Sequence, residues 1–358
     1  MSLKHRAKRA AREIYARVLF HTGLHTLVNR VAPRRLTILF GHCIEDDAIN
    51  AFLPRDMTMQ ESTLRRVLGW FKAHGYALVD VARGVDALAS GERGASLVAL
   101  TMDDGYKDNR TRLLPVLQEL GAGATIFLES RPLDERRVNW THKFHWIVDG
   151  GDAERFAQDY ALEARDANGA QKVRAAIAGA REKLVYRVKL ALKYDVDHAD
   201  RERVIDVLFA RAGGDERALC DMLYMDWSDV RALAAGGVEL GGHTVSHAIV
   251  SKLDDEGRQR EIAGCRERLV RELGERHGRT FAYPFGRRWD YDRAAIDTAR
   301  ASGFELAVNT HAGTNTQSAA RFELLRVPVD DRTPLHLLVA EACGGFHLLR
   351  RVGIDLSE

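Results

Sequence analysis

The feature that most constrains this chain is Ser96–Met102, SLVALTM, a run of seven residues with no charge and no turn former. It is too short for an ordinary helix. It also shows none of the apolar–polar alternation of a strand with one wet face. Such a run needs cover on both sides, which points to a parallel sheet flanked by helices. The runs at Leu36–Gly41, Ala77–Val81, Ala124–Leu128, Val238–Gly241, Thr280–Tyr283, Glu305–Asn309 and Leu324–Val329 read as further strands. Between them lie segments with helical periodicity. In Ser62–His74, Leu64, Val67, Leu68 and Phe71 share one face. Asn109–Leu120 contains Pro115, a candidate kink. Asp226–Ala235 has Ser228 as its expected cap, and Lys252–Leu273, Tyr291–Ala301 and Thr333–Cys343 complete the set. Seven or eight strands, most followed by a helix, predict a parallel (β/α) barrel. A doubly wound open sheet is the competitor, but no GxGxxG follows the first strand, which weakens a nucleotide-binding version.

From about 130 to 225 the rhythm changes to charged helical patterns, among them Val173–Leu192 and Arg203–Ala212, and this stretch reads as a helical insertion. His142 and His145 lie there near Trp140 and Trp146, aromatics that suit a hydrophobic anchor better than a sugar platform. Residues 1–35 carry nine basic side chains and one acid, Glu13, a net +8 in a chain whose total is +2. Arg12, Glu13 and Arg17 interrupt any apolar core a signal peptide would need. No window approaches eighteen uncharged apolar residues, so no membrane-spanning helix is expected. Residues 1–35 are therefore expected to form a basic amphipathic helical segment. It would be packed on the domain, with peripheral contact to an anionic membrane as the other reading. No aromatic stacking pattern accompanies the charge, which argues against nucleic acid. Cys43, Cys220, Cys265 and Cys343 form no CxxC pair and read as reduced thiols, consistent with a cytoplasmic protein resting on the inner face of a membrane.

Three polar motifs close predicted buried strands, at the end where barrels build their sites. They are Thr101-Met102-Asp103-Asp104-Gly105, His243-Thr244-Val245-Ser246-His247 and Phe281-Ala282-Tyr283-Pro284-Phe285-Gly286. Histidines four apart on a helical turn can meet one ion. One carboxylate and two histidines make a facial ligand set for a divalent metal, and the second carboxylate is left to act as general base. The strand-end loop with Pro and Gly could offer backbone N–H groups to an oxyanion. Together these make a hydrolytic site for an acyl group.

TMDDG, HTVSH and AYPFG, in that order, resemble the motifs of the polysaccharide deacetylases, the NodB-homology or carbohydrate esterase family 4 group. The surroundings match as well: DDGYKDN with a following GAGATIFL, and WSDVRALAAGGVELGG before HTVSH. The resemblance covers roughly residues 36–130 and 226–330. It implies a distorted (β/α)7 barrel at 36–345, here with the helical insertion, and a C-terminal tail at 346–358. It implies removal of an N-acetyl group from an amino sugar or glycan with a divalent metal, usually zinc; the ligand set also tolerates Co2+, Ni2+ or Fe2+, and the basic N-terminal segment without an export signal points to a lipid-linked or nucleotide-linked glycan precursor as substrate. Asp103 matches the general base, Asp104, His243 and His247 the metal ligands, and the Phe285 N–H the oxyanion donor. Tyr283, Pro284 and Asn109 are expected to line the substrate site, and the insertion to shape substrate choice.

This sequence departs from the family in two places. Ala282 stands where many members carry an Arg that pairs with the catalytic Asp, so a partner must come from elsewhere, with Arg287, Arg288 and Arg326 as candidates. The late Leu-x-x-His motif is not clear, and Leu335-His336 suits a structural role. His42, closing LTILFG, is the expected general acid, with Glu45 and Asp46 near it and His311 an outside choice. His21 and His25 stand outside any strand-end context. The alternatives are the same fold hydrolysing a small amide or imide, or an inactive carbohydrate-binding protein.

Overall fold

The computed structural model describes residues 3–45, 53, 57–91, 94–149, 152–179, 181–354 and 356, and divides into two compact units. One runs to Leu133 and resumes at Tyr224; the other is formed mainly by Asp134–Leu223.

The first unit is a barrel. Its strands are β1 (Leu36–Gly41), β4 (Ala77–Val79), β5 (Leu97–Met102), β6 (Ala124–Leu128), β7 (Glu239–Gly242), β8 (Thr280–Ala282), β9 (Leu306–Val308) and β10 (Arg326–Pro328); β2 (Cys43–Ile44) and β3 (Thr58–Met59) pair separately. The order β10-β1-β5-β6-β7-β8-β9 is parallel throughout. A bridge from Val308 to Leu324, just before β10, brings the two ends together, so seven strands form a nearly closed ring. β4 pairs with Leu97–Ala99 of β5, below the residues that β6 takes.

Alternation along the strands sorts the core. Leu36, Ile38, Leu97, Ala99, Phe127, Ala282, Leu306 and Val308 bury together as an inner set, with Val81, Val85 and Leu88 of a helix at Val81–Ala89 that the sequence pattern did not reveal. Leu39, Val98, Leu100, Met102, Ile126 and Leu240 face the other way, onto Leu64, Val67, Leu68 and Phe71 of the helix Glu61–Ala73. β5 is buried along its whole length, as SLVALTM requires.

Pro115 does not kink its helix. Asn109–Leu113 forms a wide turn in which the Leu114 N–H reaches Asn109 O, and Pro115 begins the α-helix Leu114–Leu120, where its missing N–H is harmless. The cap of Trp227–Ala235 is Asp226 rather than Ser228, in a reciprocal box with Asp229. The C-terminal stretch read as a tail forms a helix at Gly345–Arg351. It packs with Leu335–Ala342 and the first helix, Leu3–His21: Ala16, Leu19, Ala340, Cys343 and Phe346 bury together. His336 bonds Glu13 of that helix (2.7 Å), and His25 is buried beside Phe20, Trp70 and His74.

The second unit is helical among its described residues. The expected helix Val173–Leu192 is two, Ala167–Ala175 and Leu184–Tyr194, separated where Gly179 takes a left-handed φ of 112°. Its aromatics are structural: Trp140 is buried beneath the Arg201 guanidinium, and Trp146 meets Phe209 edge-on.

Candidate active site

Parallel strands in register deliver their C-terminal ends to one mouth. Gly41 pairs with Met102, so His42 and Asp103 leave neighbouring strands side by side, and the Asp103 N–H donates to Gly41 O. β7 delivers His243, whose N–H donates to Leu128 O at the end of β6. Asp104 turns sharply at φ 75°, and Gly105 follows at φ 85°. Its positive φ favours glycine, and a Cβ there would also crowd Leu128 Cδ2 at 2.8 Å.

His243 and His247 come together, but not on a helix. Residues 243–247 form a turn with Thr244 at φ 67° and His247 at φ 59°. Glu261 holds it: its carboxylate accepts from the Val245 and Ser246 N–H groups and from the Ser246 hydroxyl. His243 Nδ1 donates to Ala282 O at 2.7 Å, which fixes the tautomer and turns Nε2 inward. That nitrogen lies 3.3 Å from Asp104 Oδ1, and His247 Nε2 lies 3.5 Å from the same oxygen. Tyr106 donates to the other oxygen, Oδ2, at 2.9 Å. Asp104 Oδ1 is buried with no hydrogen bond, and the three ligand atoms all lie within 4.8 Å of one another. A buried carboxylate oxygen facing two imidazole nitrogens is the donor set a divalent cation needs, so these residues fit a metal.

Asp103 has a different setting. Ala282 leaves its usual partner missing, and Arg326 supplies one from the opposite side of β1. Its two terminal nitrogens bind Asp103 Oδ1 and Oδ2 at 2.7 and 2.8 Å. Nε donates to Asn309 O, and Thr101 Oγ1 takes a further bond. The guanidinium lies over the Phe40 ring. Burial alone would raise the Asp103 carboxyl pKa; the Arg326 charge, with His243, the Arg326 hydrogen bonds and His42, outweighs it and holds the group below its ordinary value. Asp104 is likewise driven down, as the neighbouring imidazoles outweigh its burial.

The statistical model of the polysaccharide deacetylases matches residues 90–175 and 197–307, more than half of the chain. The chain belongs to the polysaccharide deacetylase family. A 78-residue stretch, 22% of the chain, is 36% identical to the poly-β-1,6-N-acetyl-D-glucosamine N-deacetylase of Escherichia coli K12, of whose length it spans only 11%. The deacetylase PplD of Streptococcus pyogenes, solved with acetate, aligns over 87% of this chain and 99% of its own at TM-score 0.56 and 15% identity. A de-N-acetylase of Aggregatibacter actinomycetemcomitans aligns over 85% and 98% at TM-score 0.54 and 16% identity. These two likenesses carry the fold.

Measured against the deacetylase expectations, Asp103, Asp104, His42, His243 and His247 gather at one mouth. The Phe285 ring meets His247 edge-on at 4.6 Å, and Phe285 itself holds φ 61°. The three residues expected to line the substrate site are all buried. Tyr283 shares the outer face of its strand with Phe281; it is fully buried, stacks on Tyr291 and donates to Phe322 O. Pro284 is buried as well. Asn109 is buried and donates to His42 O and Asp108, so it holds the end of β1 in place. Arg287 and Arg288 are exposed. Glu45 is exposed, His311 is half-buried, and Asp46 lies outside the described residues. Tyr106 and Glu261 carried no signal of their own in the sequence. Tyr106 could have been suspected from its place after the DDG turn; Glu261 sits in a charged helix indistinguishable from its neighbours.

Proposed function

We propose that this chain is a metal-dependent N-deacetylase of an N-acetylated amino sugar within a glycan or its lipid-linked precursor. The observation that carries the reading is the pairing of two adjacent carboxylates with different partners: Asp104 with the two imidazoles, Asp103 with Arg326. The identity shared with the E. coli relative supports N-acetylglucosamine as the sugar.

Asp104, His243 and His247 would hold the cation, with zinc the first choice and Co2+, Ni2+ or Fe2+ compatible with the same donors. A bound divalent cation supplies Lewis-acid polarisation of the acetyl carbonyl and a water of lowered pKa. The chain's own residues do the rest. Asp103, kept ionised and oriented by the Arg326 fork, accepts the proton of the attacking water. The Phe285 N–H stands as donor to the developing oxyanion. His42, beside Asp103, gives a proton to the departing amine. Tyr106 and the Ala282 carbonyl keep Asp104 and His243 from turning away. Arg326 supplies the counter-charge that Ala282 does not, which favours the sugar deacetylase over the small-amide alternative.

The test is acetate release from N-acetylglucosamine oligomers by protein reconstituted with zinc or cobalt. Asp103→Asn should keep its metal, by elemental analysis, and lose roughly 10²-fold or more of turnover, the general-base contribution. Near-normal turnover in that variant would remove Asp103 as base. No acetate from the metal-loaded wild type, on oligomers or on lipid-linked N-acetylhexosamine, would remove the function.

A further inference from the structure

The two helices before the barrel carry an apolar stripe that the fold does not use. In Leu3–His21 the face with Ala16 and Leu19 is buried. On the opposite face Ala7, Ala11, Ile14 and Val18 follow the i, i+4, i+7, i+11 spacing of one continuous stripe, and all four are exposed. The chain turns at Gly23, and Leu24, Leu27 and Val31 repeat the pattern along Leu24–Val31. Ile14, Val18, Leu24, Leu27 and Val31 are between 45% and 68% exposed. Eleven large apolar side chains stay exposed among the described residues; seven are these five plus Val352 and Ile354, so the terminal segments hold most of the unprotected apolar surface. The helix Gly345–Arg351 rests on Leu24–Val31, and Tyr15 donates to Gly345 O, so both termini meet here.

Among the described residues the exposed charge along the two helices is basic. Arg6, Arg9, Arg17 and Arg30 are exposed, and the one acid of residues 1–35, Glu13, is taken by Arg17 and His336. Where the second helix ends, a cavity of about 680 Å³ is lined by Arg34, His347 and Arg351 with Thr316 and Ser318, and no carboxylate lines it among the described residues.

We propose that this face docks on a lipid bilayer surface rich in anionic phosphate headgroups. The stripe enters the boundary between headgroups and acyl chains, the arginines meet phosphates, and the cavity receives a headgroup. A second copy of the chain is the poorer occupant. A two-fold contact through this stripe would set two segments of net +8 against each other. Among the described residues no helix is long and apolar enough to cross a membrane, so the contact is peripheral.

The full chain is tested by flotation with vesicles of phosphatidylcholine alone and of phosphatidylcholine mixed with phosphatidylglycerol. Wild type should float with the mixed vesicles and weaken as salt is raised. Each of Arg6, Arg9, Arg17 and Arg30 changed to Ala should cost roughly five-fold in binding, the contribution of one basic residue at such a surface. The triple variant Ile14→Glu, Leu27→Glu, Val31→Glu should abolish flotation with its circular dichroism unchanged. Wild type that does not float with mixed vesicles, or a triple variant that floats like wild type, overturns the proposal. So does a dimer that the triple variant dissolves without any vesicle binding. Acetate release from soluble oligomers should be the same in all these variants, so failure here and failure of the deacetylase reading are separate results.

Discussion

Arg326 is the residue on which the proposed base, Asp103, depends. It is fully buried, and all three of its nitrogens are used: Nε on a backbone carbonyl, the other two on Asp103 and Thr101. A fork of this kind fixes the plane of a carboxylate, which a lysine ammonium does not. Arg326→Met leaves Asp103 buried without a partner and should cost about 3–5 kcal/mol of stability, the usual penalty for half of a broken buried pair. Arg326→Lys should recover much of that stability but little of the turnover, since it restores charge without the fork. Denaturant midpoints and kcat, measured on samples of equal metal content, separate the two effects. Equal kcat in Lys and Arg proteins would reduce Arg326 to a counter-charge. In the sequence this Arg was one candidate of three. What singles it out is its register opposite Ile38, and register between distant strands is invisible in a single sequence.

Among the elements, β7 joins two kinds of demand. Its far end delivers His243, while its first residue, Glu239, is buried at the opposite end of the barrel. Glu239 accepts from the Thr125 hydroxyl and the Ala82 N–H, yet burial raises its pKa to about 7. The folded chain thus holds a proton that the unfolded chain, with the ordinary value of 4.5, releases. Stability from this group is complete below pH 4.5 and is lost as pH rises toward 7. Glu239→Gln should match wild type near pH 4 and exceed it above pH 7, by up to about 3 kcal/mol at 1.36 kcal/mol per pKa unit. Urea midpoints across that range check the sign, and a parallel offset at all pH values would place the effect elsewhere. The strands were legible because continuous apolar runs leave few other folds. The His243–His247 turn was not: the i, i+4 spacing suggested a helix, and a pair of left-handed residues held by Glu261 brings the rings together instead. The burial of Tyr283 was not legible either: a strand ending in a functional loop still alternates, and its parity sends that ring outward.

At the scale of the whole molecule, the proposed metal ligands are also structural. Asp104 and the two histidines bring together β5 and β7, and without an ion Asp104 Oδ1 lacks a hydrogen bond. Dialysis against a chelator should lower Tm, and readdition of zinc should restore it; an ion at a hundredfold excess over its Kd stabilises by about 2.7 kcal/mol. An unchanged Tm would mean the three residues hold no ion in the native protein. The barrel and the helical character of residues 134–223 could be read from the sequence because both rest on periodicity. The helix Gly345–Arg351 could not, because its apolar residues are few and it is stabilised by packing on the first helix, at the far end of the chain.

One consequence follows from the position of Arg326 in the last strand. The three proposed ligands are in the chain by residue 247, but their supports come later: Glu261 for the turn, the Ala282 carbonyl for His243, and Arg326, the partner of the proposed base, only with β10. A polypeptide emerging N-terminus first therefore cannot orient the carboxylate that takes the water's proton until its last strand is in place. Competence is withheld until the ring of strands is shut, and a product that stops short of it is inert.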